Sequence, residues 1–177
     1  WSEAQETDRI RIVIRPGQGF GTGHHPTTAG ALMAIERLCA KCRYEKALDV
    51  GAGSGVLAIA LRLFGVKTVA AIDNDPAALE NARDNAALNK MTGLRISAAR
   101  LNSFKRQRFD LISANILSST LIAMAPALIN LLAAAGRLVL GGILKRERAD
   151  VLARYRKHLR LIDSRLDRGW STLVLAR

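Results

Sequence analysis

Ile10, Ile12 and Ile14 alternate with Arg9, Arg11 and Arg15, the period-two pattern of a half-buried strand. Pro16 and Gly17 break that pattern, and Gly17, Gly19, Gly21 and Gly23 make a loop that exposes its backbone. Beyond Pro26 the spacing of Leu32, Ile35 and Leu38 predicts a helix closing near Cys42. Residues 47–50 read as a short buried strand, 51–55 as a tight turn, and 56–64 as a helix ended by Gly65. A strand over 68–72 follows, then a helix capped by Asp75, opened by Pro76 and running to about Asn89. The alternation continues with strands over 94–97, 109–114 and 137–140, and with helices over about 119–132 and 147–158. Val151, Leu152 and Tyr155 mark the inward face of the last helix. Residues 159–166 and 170–175 read as two final strands around the turn Asp167-Arg168-Gly169. Strand and helix in regular succession predict one doubly wound, Rossmann-like α/β domain. Its seven-stranded sheet would be mostly parallel, with a C-terminal antiparallel hairpin at one edge.

The 177 residues suit a single core, and 49% apolar with 24% charged residues is an ordinary globular balance. The longest apolar run, around 131–144, is interrupted by Arg137 and three glycines, so no membrane span is expected. No secretory signal opens the chain, and a start at Trp1 rather than Met suggests a fragment. Two cysteines cannot build a disulfide framework, which suits a reducing cytoplasm. Cys39 and Cys42 close a helix, and with no further cysteine they read as helix-end packing and not as a metal or redox site. The net charge of +12 resides in the second half: residues 1–89 hold ten basic and ten acidic side chains, residues 90–177 hold 17 and five. Lys105, Arg106 and Arg108 form one dense stretch and residues 145–160 another. Such asymmetry points to an acidic partner, RNA or a ribonucleoprotein, with a solvated basic face as the alternative. Aromatic residues at 5% give no platform for stacking single-stranded bases.

Asp49-Val50-Gly51-Ala52-Gly53-Ser54-Gly55 ends one strand and opens a helix, where glycines admit a ligand to the backbone and to free helix amides. Asp73 ends the next strand, where a carboxylate can accept both ribose hydroxyls of a nucleoside. The G-x-G-x-G spacing departs from the dinucleotide fingerprint and matches the turn of S-adenosylmethionine-dependent methyltransferases. Gly51, Gly53 and Asp73 are therefore expected cofactor contacts. Asp49 could simply cap the turn, and Asp75 is expected to be a helix cap. Asn115 stands just past a strand, at the carboxyl edge where ligands bind open α/β sheets. Many amino-group methyltransferases carry Asn-Pro-Pro-aromatic there; Asn115-Ile116-Leu117 keeps only the Asn, which weighs against a flipped base. Trp170 and Tyr155 are expected in the core.

The segment Phe20-Gly21-Thr22-Gly23-His24-His25-Pro26-Thr27-Thr28, followed in order by DVGAGSG, AIDNDP and ANIL, resembles the PrmA family, methyltransferases of the large-subunit ribosomal protein numbered eleven. Gly141-Gly142-Ile143-Leu144 and Gly169-Trp170-Ser171-Thr172 extend the resemblance to the end of the chain. It implies a class I methyltransferase domain over 16–177, with 1–15 as a linker or lead-in strand and the family's N-terminal recognition domain missing. It implies cofactor contacts at Thr28, Gly51, Asp73 and Asn115, with Phe20 in a loop over the sulfonium and the acceptor channel. His25 would organise that loop or, as the alternative, act as a base. The implied activity is S-adenosylmethionine-dependent N-methylation of lysine or N-terminal amines of a ribosomal protein. An RNA methyltransferase and a cofactor-binding module without activity are the alternatives.

Overall fold

The computed structural model describes residues 10–15 and 25–177. Helix α1 spans Pro26–Lys41, followed by β1 (Lys46–Val50), α2 (Val56–Leu63), β2 (Thr68–Ile72), α3 (Pro76–Leu88) and β3 (Leu94–Ser97). Then come β4 (Phe109–Asn115), α4 (Ser118–Leu131), β5 (Leu132–Leu144), α5 (Arg148–Tyr155), β6 (Arg160–Asp167) and β7 (Trp170–Ala176). Two short 3-10 turns, Leu101–Phe104 and Lys145–Glu147, precede β4 and α5.

The seven strands form one sheet in the order β3-β2-β1-β4-β5-β7-β6. Neighbouring residues of each central strand face opposite sides, because strand side chains alternate. Thus Ala47, Leu111 and Val139 join α1 and α2 in one apolar cluster. Leu48, Ile112 and Leu138 join α4 and α5 in the other. Both faces being covered explains why the strands read as near-continuous apolar runs. Among the described residues no helix is long and apolar enough to cross a membrane.

Two expectations change. Residues 10–15 are not a strand: Val13 exchanges backbone hydrogen bonds with the Asn89 side chain (N–H to Oδ1 2.9 Å, O from Nδ2 2.7 Å). Ile12 and Ile14 still pack on the core, so alternation reported burial of one face without sheet pairing. The strand expected over 137–140 is Leu132–Leu144, because small residues 133–136 extend it backwards and Gly141-Gly142 carries it through an irregularity in the pairing with β7. The C-terminal antiparallel hairpin lies at one edge of the sheet, as expected. β7 pairs antiparallel with both β5 and β6, which leaves β6 outermost. Tyr155 is in the core as expected, fully buried with its hydroxyl donating to the Leu121 carbonyl at 2.7 Å. Cys39 lies half-buried in α1, and Cys42 caps its end and is exposed.

Strand order reverses beside β1, with β2 and β3 on one side and β4 and β5 on the other. In an open α/β sheet such a reversal leaves a crevice at the carboxyl ends of the strands.

Candidate active site

A cavity of about 430 Å³ occupies that crevice, within the range of small-molecule sites. Its walls include Thr28, Gly51, Gly53, Asp73, Asn115 and Trp170. A second hollow of about 800 Å³ shares Asp73, Ile116 and Leu117 and extends to residues 98–102 after β3.

The glycine turn is tied down before any ligand arrives. The amides of Gly51 and Ala52 both donate to the Ile72 carbonyl, at 2.9 and 3.0 Å. Gly51 has φ +72°, and a Cβ there would collide with the Ile116 side chain. The Gly53 amide donates to Asp73 Oδ2 at 2.9 Å, and the Asp75 amide to Asp73 Oδ1 at 3.0 Å. Each Asp73 oxygen therefore accepts one backbone bond, and a carboxylate oxygen can accept two. The half-buried carboxylate keeps capacity for two hydroxyls, which suits a ribose diol. Asp75 is the helix cap expected of it, accepting from the Ala77 amide at 2.9 Å.

Asp49 lies beneath the turn, buried, and accepts the Ser113 hydroxyl of β4 at 2.7 Å. Burial pushes its carboxyl up to about 7; the bonds from Ser113 and the Ala58 amide pull it partly back, and the nearby Asp73 charge adds to the rise.

Asn115, at the end of β4, sends Nδ2 toward Thr28 Oγ1 at 3.4 Å, joining two expected contacts. Its Oδ1 is buried and has no hydrogen-bond partner among the described residues. Gly141 makes room for it, since a Cβ at Gly141 would stand 2.6 Å from that oxygen. A buried acceptor without a donor is costly, and one at the wall of a cavity can be satisfied by a donor that a ligand brings.

His25 caps α1. Its Nδ1 lies 2.8 Å from Thr27 Oγ1, and its ring stands edge-on to Trp170 with centroids 4.9 Å apart. These contacts fix its ring at the start of α1; the loop it is expected to organise lies outside the described residues. Trp170 corrects an expectation: it lines the cavity, because β7 begins at the carboxyl end of β5, where Leu144 pairs with it. Phe20, Gly21, Gly23 and His24 lie outside the described residues.

Sequence reading also missed Asn85. It is fully buried; its Nδ2 donates to the Ser54 carbonyl at 2.9 Å, and its Oδ1 accepts the Arg15 amide at 2.8 Å. Asn81, Asn85 and Asn89 recur every fourth residue, one stripe along α3, and that spacing was the available signal.

This strand order, with its glycine turn and acidic strand end at the reversal, is the class I methyltransferase fold. The N-methyltransferase NodS from Bradyrhizobium japonicum, crystallised with S-adenosyl-L-homocysteine, shares it at a TM-score of 0.72 and 16% identity, over 87% of this chain and 89% of that one. The family model for "Ribosomal protein L11 methyltransferase (PrmA)" matches residues 1–177, and the chain belongs to that family. A ribosomal protein L11 methyltransferase from Rhizobium rhizogenes is 45% identical over 177 residues, covering 95% of this chain and 60% of that protein. One from Myxococcus xanthus is 41% identical over 157 residues, covering 88% of this chain and 54% of that protein. The chain thus spans little more than half the length of these relatives. A crystal structure of the ribosomal protein L11 methylase from Lactobacillus delbrueckii subsp. bulgaricus superimposes with a TM-score of 0.84 at 27% identity, over 97% of this chain and 91% of that one.

Proposed function

We propose that the chain is the methyl-transferring part of an S-adenosylmethionine-dependent protein N-methyltransferase. Its substrate would be lysine or N-terminal amines of a large-subunit ribosomal protein, L11 by the names its relatives carry. The observation that carries the reading is Asn115 Oδ1, without a hydrogen-bond partner among the described residues, an acceptor for an amine N–H at the same cavity as Asp73 and the glycine turn.

S-adenosylmethionine would supply the methyl group of its sulfonium. The neutral amine's lone pair would form the N–C bond in line as the S–C bond breaks, the thioether S-adenosylhomocysteine would leave, and the methylated ammonium would lose its proton to water. Asp73 accepts the ribose hydroxyls, while Gly51, Gly53 and Thr28 shape the surface against which the cofactor rests. Asn115 keeps its amide oriented through the Nδ2 contact to Thr28 and offers Oδ1 to the incoming nitrogen, aiming the lone pair. Holding two reactants in attack geometry supplies on the order of 7–11 kcal/mol, so positioning accounts for most of the rate. A free lysine has a pKa of about 10.4 and must lose its proton first. Apolar walls such as Ile116 and Leu117 desolvate the amine and favour its neutral form. His25 holds the start of α1 through Thr27 and Trp170, and Phe20 belongs to the loop expected over the acceptor. The protein works in a reducing cytoplasm, which suits its two free cysteines, and its basic second half meets ribosomal RNA beside the target.

The test incubates the chain with methyl-labelled S-adenosylmethionine and L11, ribosomal RNA, or neither. Label in L11 is the expected result. Label in RNA alone assigns an RNA methyltransferase, and label nowhere assigns a binding module that needs the remaining length of its relatives.

A further inference from the structure

The two basic stretches stand in different relations to the cavity. Lys105, Arg106 and Arg108 precede the amino end of β4, whereas the cavity lies at its carboxyl end, by Asn115. Six residue steps of a parallel strand separate the two levels by about 20 Å. Lys145 directly follows the carboxyl end of β5. Its amide donates to the Gly169 carbonyl at 2.8 Å, one residue before the cavity-lining Trp170.

From Lys145 a groove of about 530 Å³ runs between α5 and β6, walled by Lys145, Arg148, Leu152, Arg156, Ser164 and Leu166. Arg165 is the fourth cation of the lining, which holds no carboxylate. Of the neighbouring acids, Asp163 pairs with Arg37 and Glu147 with Arg146 and the Leu144 amide, while Asp167 pairs with the lining's own Arg165 and with Arg168, and Asp150 of α5 makes no ion pair among the described residues. Lys145, Arg148 and Arg156 make no ion pair among the described residues. Arg148 Nη2 reaches across from α5 to Ser164 Oγ of β6 at 3.3 Å, which sets its guanidinium over the groove.

We propose that this groove docks the phosphate backbone of an RNA strand beside the mouth of the cavity. Two guanidinium groups offer forked donors matched to phosphate oxygens. Arg148 and Arg156 are eight residues apart, about 12 Å along a helix, a span long enough to meet more than one phosphate of a strand. No aromatic residue lines the groove, so the contact is to backbone and indifferent to base sequence. An acidic protein is the competing occupant, since the fork matches carboxylates as well, and the polyglutamate comparison below separates the two. The proposal rests on the ribosomal reading only for the source of the RNA. Binding is measured without methyl transfer, so either idea can fail alone.

The test measures fluorescence anisotropy of a short mixed-sequence single-stranded RNA with the 177-residue chain across a salt series. The parent is compared with Lys145→Gln/Arg148→Gln/Arg156→Gln and with Lys105→Gln/Arg106→Gln/Arg108→Gln. A single strand contributes about 0.7 to the salt slope per neutralised phosphate, so the groove triple should flatten the slope by about 2. The second triple should change it by less than half as much, and Arg148→Lys should keep the parent slope. Should the groove triple unfold, Arg156→Gln at the exposed helix end should remove about 0.7. An unchanged slope in the groove variants, a larger loss in the second triple, or equal binding of polyglutamate would overturn the proposal.

Discussion

Asn85 holds Ser54: a fully buried carboxamide on α3 donates to the carbonyl of a residue in the glycine turn, at 2.9 Å. The same side chain accepts the Arg15 amide at 2.8 Å, so one group joins the lead-in segment, α3 and the cofactor-facing turn. Placement of residues 10–15 is thereby felt in the turn.

Asn85→Leu should lose more stability than Asn89→Ala, whose bonds to Val13 are exposed. Leucine removes the bonds that Asn85 makes to the Ser54 carbonyl and the Arg15 amide, each loss costing about 1–3 kcal/mol where buried. Urea unfolding measures the loss, and calorimetry should show weaker S-adenosylmethionine binding as the turn loosens. Equal stability of the two variants would deny Asn85 its joining role.

On the proposed reading Asp73→Ala would remove two charge-assisted hydrogen bonds to the ribose, each worth about 1.5–3 kcal/mol. Cofactor affinity should drop at least tenfold, about 1.4 kcal/mol, by calorimetry. Unchanged affinity would sink the ribose assignment.

Asn115→Ala should lower kcat by roughly tenfold, the worth of one hydrogen bond to the reacting amine, with a smaller change in cofactor affinity. Gly141→Ala tests the same point with the asparagine intact, because its Cβ would stand 2.6 Å from Oδ1 and displace it. If both variants weaken cofactor binding as much as turnover, Asn115 is a cofactor contact only.

Asp49 gives stability a pH dependence of defined sign. Its carboxyl rises from the ordinary 3.8 to about 7 on folding, so between those values the folded state binds the extra proton. Stability therefore falls as pH rises through that window, and the penalty is complete above about 7. Asp49→Asn lacks this component and should gain on the parent steadily from acid to neutral pH. Denaturant midpoints for the pair across that range provide the check, and a pH-independent difference would contradict the burial argument.

Helix caps and apolar runs made most of the fold legible. Asp75 and Pro76 marked the start of α3, and β2 and β3 lie where branched and apolar residues cluster. Glycines and Asp73 likewise announced the turn and its acid, since both are needed locally. Partnerships between distant segments were hidden. Alternation at residues 10–14 signalled burial of Ile12 and Ile14 but could not say that side chains of α3, and no strand, hold the backbone. Trp170 looked like core because its exposure depends on which strand end it occupies, a matter of sheet order. The Lys105–Arg108 stretch stood out by density along the chain, while the groove cations gather from elements that only folding brings together.

The sheet order also imposes a schedule on folding. β6 is synthesised before β7, yet among the described residues its only strand partner is β7, which also closes the flank of β5. Until residues 170–176 emerge, five strands can assemble in parallel while β6 has nothing to pair with. Closing that end is a late, long-range event, and such events slow folding and leave strand edges open to other chains. Loss of these last residues would do more than shorten the sheet: it would release β6 and leave the long edge of β5 as a template for aggregation.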